Sequence, residues 1–144
     1  MSVRIALVGM WRLVGAQVAL SGGGTRSSEL GERPAGFLSY DRSGVMAVQI
    51  APDAARPRAP SNGPSPGEPV DGTHGYLAYA GTWSFDDESR TVAHRVEISL
   101  DPSLVGKEVV REAVVEGDRL ILIVSWRTRA GEEAQTRLSW KRAG

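Results

Sequence analysis

The sequence contains no cysteine and only two histidines, His74 and His94, in 144 residues. Without thiols there are no disulfides, thiolate metal sites, iron–sulfur clusters or cysteine nucleophile. Two histidines at no recognisable ligand spacing give no metal motif. Surplus charge is missing as well: 17 lysines and arginines balance 17 aspartates and glutamates. Nothing therefore favours a nucleic acid or an anionic membrane as partner. Long apolar runs are also absent. The stretch Ile5–Trp11 is broken by Arg12, far short of a membrane span, and no small-residue cleavage site follows it. A cytoplasmic protein is the expectation. Gly22-Gly23-Gly24-Thr25 lacks the lysine and following helix of a phosphate loop, and no Gly-x-Ser-x-Gly elbow stands between a strand and a helix. No cofactor is expected.

What remains is a chain long enough for one domain over 1–144 with a real core, because roughly two thirds of the unfolded surface is buried at this size. The hydrophobic fraction of 41% is too high for a disordered chain. The 17 glycines are spread along the chain, as many turns between short strands require. One segment stands apart. Residues 51–69 hold six prolines and no aromatic, Ile, Leu or Val side chain. Such a stretch neither joins a β-ladder nor fills a core. It reads as a long flexible loop, either a tolerated surface insertion or a flap over a site.

Elsewhere the pattern is strands. Trp11–Leu20, Gly36–Tyr40, Val45–Ile50, Gly75–Phe85, Thr91–Leu100, Lys107–Val115, Arg119–Thr128 and Gln135–Arg142 are separated by turn sequences such as Asp41-Arg42-Ser43-Gly44 and Glu116-Gly117-Asp118. About eight strands in a meander favour a closed antiparallel barrel. Single helical turns are predicted within Val3–Met10 and at Pro102–Leu104.

Side chains alternate across a strand, so each strand yields an inward and an outward row. The apolar row of Thr91–Leu100 is Val92, His94, Val96, Ile98 and Leu100, which puts His94 inside. The bulky row of Gly75–Phe85 is Leu77, Tyr79, Gly81, Trp83 and Phe85. Trp126 and Trp140 fall on apolar rows of their strands, and one phase of Lys107–Val115 turns Arg111 inward. Aromatic walls with a few polar groups suit a small organic ligand. The same residues also serve as plain core packing, with the histidine simply hydrogen-bonded. An inward arginine needs an anion; Glu97, Glu108, Glu112 or a bound acid would supply one.

Leu7-Val8-Gly9-Met10-Trp11-Arg12-Leu13 carries the Gly-x-Trp opening seen in lipocalins. More specifically, the chain resembles the bacterial and fungal lipocalin-like domain family. The resemblance runs in order through Gly36–Asp41 with Gly44-Val45-Met46, Tyr76–Trp83, Val92–Val96, Pro102–Gly106, Arg111, Glu116–Leu120 and Trp140-Lys141-Arg142. It implies an all-β, eight-stranded up-and-down barrel with a central cavity. Trp11 would plug the closed end, with Arg142 or Lys141 stacked on it. Its functional implication is a cofactor-free cyclase or isomerase that folds a small hydrophobic natural-product intermediate in the cavity. His94, Arg111 and Tyr79 would be the catalytic groups; Tyr40, Met46, Trp83, Trp126 and Trp140 would line the substrate. The same pocket serves a non-catalytic carrier of a small hydrophobic molecule equally well, and a filled barrel would act through its surface, for example as a homodimer.

Overall fold

The computed structural model describes residues 2–27, 30–53 and 76–144. Most of the proline-rich stretch, and His74, lie outside the described residues. So does the question of a flap.

A short helix α1 (Val3–Leu7) precedes β1 (Gly9–Leu20), β2 (Thr25–Ser27), β3 (Ala35–Tyr40), β4 (Val45–Ala51), β5 (Leu77–Asp86), β6 (Thr91–Ser99), β7 (Glu108–Glu116), β8 (Arg119–Arg127) and β9 (Glu133–Arg142). A 3-10 turn occupies Pro102–Leu104, where the sequence predicts one. All strand pairs are antiparallel. β1 pairs with β3, neighbours then follow in chain order to β9, and β9 returns to β1 from Trp11↔Arg142 to Leu20↔Ala134. Those eight strands close the barrel; the three-residue β2 pairs on the far end of β1. Closure leaves no long free edge, which a cysteine-free chain of this size gains as stability without staples. No described helix is long and apolar enough to cross a membrane.

The turns follow from local chemistry. β7 and β8 are joined by Gly117-Asp118 alone, with Gly117 at φ 61°, a conformation cheap for glycine and matched to the twist of a two-residue hairpin. The Asp41 carboxylate accepts from the Ser43 backbone N–H at 2.9 Å and closes the turn between β3 and β4.

The inward rows form the core. Leu38 and Tyr40 of β3, Met46, Val48 and Ile50 of β4, Tyr79 and Trp83 of β5, and Leu120 and Trp140 of β8 and β9 are all buried in one cluster with Trp11. A smaller cluster of Val18, Trp126 and Ala134 fills the other end. One expected row changes phase. Tyr79 pairs with Ser99 but Gly81 pairs with Val96, so β6 carries an extra residue there. This bulge turns Ile98 outward, 67% exposed, and Leu100 with it. An alternation read along the sequence cannot register such a slip. Gly81 makes the bulge possible: a Cβ on it would sit 1.9 Å from the Arg95 carbonyl oxygen.

α1 lies across the end where Trp11 sits. The Trp11 indole N–H donates to the Leu7 carbonyl at 2.9 Å. Arg142, on β9, donates to the carbonyls of Val8 at 2.9 Å and Ala6 at 2.6 Å, and its guanidinium stacks 4.3 Å from the Trp11 ring. Arg142, not Lys141, is the stacking cation. Arg4 of α1 covers Trp83 at 4.6 Å. Helix, first strand, fifth strand and last strand are thus tied at one end of the barrel.

Candidate functional site

His94 is on the inward row of β6, between Val92 and Val96, and is 2% exposed. Its Nδ1 lies 2.5 Å from the Tyr79 hydroxyl, and its Nε2 lies 2.5 Å from the Tyr40 hydroxyl. Tyr79 belongs to β5, next to β6, so this contact is between neighbours. Tyr40 comes from β3, two strands further round, and reaches His94 only because the sheet curls into a barrel. The Tyr40 ring packs against Trp83 at 4.6 Å between centroids. Trp83 is itself held by an indole N–H donated to the Asp41 carbonyl at 2.8 Å.

Burial is the chief force on the protonation of this cluster. It pulls the proton affinity of His94 down to a pKa of about 3, with Arg111 adding to the effect. Burial raises the Tyr79 hydroxyl to about 12, and Arg111 offsets part of that rise. Tyr40 goes well above the usual phenol range, mainly by burial and secondly through Tyr79. All three groups are therefore neutral across ordinary pH. A neutral imidazole has one N–H and one acceptor nitrogen. One tyrosine thus donates to His94 and the other accepts from it. The accepting tyrosine has its own O–H left to offer.

Arg111 is on the inward row of β7, where Val92 of β6 is its partner. It is half-buried and donates from Nη1 to the Val110 carbonyl at 3.0 Å. Burial lowers its proton affinity, while Tyr79 and Tyr40 work in the opposite direction. Among the described residues no carboxylate pairs with it. Glu97, Glu108 and Glu112, the partners its charge suggested, are exposed on outward rows. β7 is also the strand whose inward row is least covered: Val109, Arg111 and Val115 are only partly buried.

Of the expected site residues, the structure brings His94, Tyr79, Tyr40 and Trp83 into contact, with Arg111 close enough to act on them electrostatically. Met46 is buried in the same core cluster. Trp126 is apart from them, in the smaller cluster, where its indole donates to Thr136 Oγ1 at 2.8 Å. Trp140 is buried, and among the described residues its Nε1 has no hydrogen-bond partner. Sequence reasoning made Tyr40 a wall residue and missed its bond to His94, because no local signal joins the third and sixth strands. Two clefts open beside the strands. One of about 460 Å³ lies across β3 to β6, with Phe37, Ala47, Gln49, Ile98 and, from the cluster, Tyr79 in its lining. Another, of about 530 Å³, lies at the Trp126 end between Leu20, Arg127 and Glu133.

The family model of the lipocalin-like domain matches residues 8–143. The chain belongs to the lipocalin-like domain family. That match covers every strand of the barrel, from the Gly9–Trp11 opening to Arg142. A lipocalin-like barrel is an architecture suited to holding a small molecule. Among curated proteins no match was found.

Proposed function

We propose that this lipocalin-like barrel binds a small hydrophobic molecule bearing a carbonyl and rearranges it without a cofactor, by ring closure or double-bond migration. The observation that carries this reading is His94 bridging Tyr40 and Tyr79 on the inward face. The tyrosine that accepts from His94 presents its O–H to a substrate carbonyl, with the Arg111 charge behind it. As the proton on the carbon beside the carbonyl passes to water, the polarised carbonyl oxygen takes up the enol-like charge. Reprotonation from water at the far carbon of the double bond, or addition of the enol carbon to an electrophilic carbonyl of the same molecule whose oxygen takes a proton back, completes the isomer with no atom gained or lost. The apolar wall of Trp83 and Met46 supplies orientation. His94 acts here as a neutral link that holds both hydroxyls in place, and the low proton affinity set by burial argues against a free base.

That same low affinity favours a second reading, a carrier whose polar cluster only orients its cargo. One experiment separates the two. The full chain, purified from the organism that makes it, is examined by native mass spectrometry for a co-purified metabolite. The recovered compound is then incubated with fresh protein. An isomeric product that forms with wild type and is lost with Tyr79→Phe supports catalysis. Recovery of unchanged compound makes the protein a carrier. A chain that neither carries nor changes a metabolite overturns both.

A further inference from the structure

We infer that the ligand of this barrel carries a carboxylate, received by the Arg111 guanidinium beside the carbonyl that the free tyrosine hydroxyl of the His94 cluster takes. The inference rests on the reading that the barrel interior takes a ligand, and it names the ligand's chemical class.

Hydrogen-bond donors outnumber acceptors on the inward face. Tyr40, His94 and Tyr79, all neutral, have two hydroxyl hydrogens and one ring N–H between them. Their two mutual bonds use two of these three hydrogens. One tyrosine O–H is left over. Arg111 presents a fork of five N–H groups, of which one bonds the Val110 carbonyl. Among the described residues, Trp140, 1% exposed, finds no acceptor for its indole N–H. The indoles of Trp11, Trp83 and Trp126, by contrast, all find an oxygen. The interior thus holds a surplus of donors.

Charge points the same way. Arg111 is the one charged side chain on the inward rows of β3 to β8 among the described residues. No carboxylate faces it, and neither His94 nor the tyrosines supply a negative charge. A half-buried cation without a counterion is costly. A ligand group that accepts hydrogen bonds only, and is negative, satisfies the charge of Arg111 and its free N–H groups at once, while the left-over tyrosine O–H stays available to the substrate carbonyl. A carboxylate fits, because its two oxygens match the planar guanidinium fork. An amine or an alcohol leaves either the charge or the donors unmet.

The test uses a matched pair of probes of one chain length, decanoate and methyl decanoate, titrated into the full chain at pH 7.5 and followed by tryptophan fluorescence and calorimetry. The expected result is binding of decanoate tighter by about tenfold or more, the scale of one charge-assisted hydrogen-bond pair. In Arg111→Met the preference falls to within about twofold, because acid binding weakens far more than ester binding; Arg111→Lys keeps part of it. Equal binding of acid and ester overturns the inference and leaves the ligand-binding barrel standing. Binding of neither probe overturns both. Full acid preference in a folded Arg111→Met overturns the role of Arg111. If Arg111→Met does not fold, the wild-type preference and the Arg111→Lys titration decide.

Discussion

The Tyr79 hydroxyl sits 2.5 Å from Nδ1 of His94, and this contact turns two core side chains into one polar unit. A buried histidine with one free nitrogen would leave a costly orphan. With Tyr40 on the opposite nitrogen, His94 is satisfied on both sides and excluded from water.

That satisfaction predicts an acid-sensitive fold. The folded His94 takes a proton only near pH 3, whereas the unfolded residue takes one near 6.5. Between these values the unfolded chain binds the extra proton, so stability is full above about 6.5 and falls as pH drops towards 3. The contribution is on the order of 1.4 kcal/mol per pH unit in that window. Urea unfolding at pH 7 and pH 5 measures it, and His94→Gln is expected to flatten this part of the profile.

Removing either hydroxyl strands one imidazole nitrogen. Tyr79→Phe and Tyr40→Phe are each expected to cost about 1–3 kcal/mol, read as a shift of the urea midpoint. Because both act through His94, the double variant is expected to cost less than the two singles added together. Strict additivity in that cycle would mean that the two hydroxyls are independent.

Gly81 offers a sharper steric test. Gly81→Ala drives a methyl into the Arg95 carbonyl, 1.9 Å away, and is expected to cost more than about 3 kcal/mol or prevent folding. Gly15→Ala, at the bulge on β1, meets nothing within 4 Å and is expected to fold normally. Circular dichroism melts of the two variants make the comparison.

Arg142 holds α1 onto the barrel through two carbonyls and the Trp11 face. Arg142→Gln is expected to cost about 2–4 kcal/mol. Hydrogen exchange is expected to speed up most in residues 3–8, with the amides of β4 and β5 little changed.

Much of the architecture was already legible in the sequence. The turn sequences and period-2 rows mark the strands because strand and turn formation are local matters of glycine, aspartate and alternating apolar side chains. The same periodicity turns His94, Tyr79, Trp83 and Arg111 inward, and the ordered family motifs imply the closed barrel. Tertiary structure decided what those inward residues do. A bulge of one residue, permitted by Gly81, reversed Ile98 and Leu100. Curvature of the sheet carried Tyr40 across two strands to His94, and register along β8 and β9 put Trp126 opposite Ala134, at the other end of the barrel from the cluster. Closure also left Arg111 facing two tyrosines with its expected carboxylates on the outside. Contacts between strands distant in the chain depend on register and curvature, which are global properties. The histidine's two partners and the arginine's lack of one could therefore emerge only in the folded barrel.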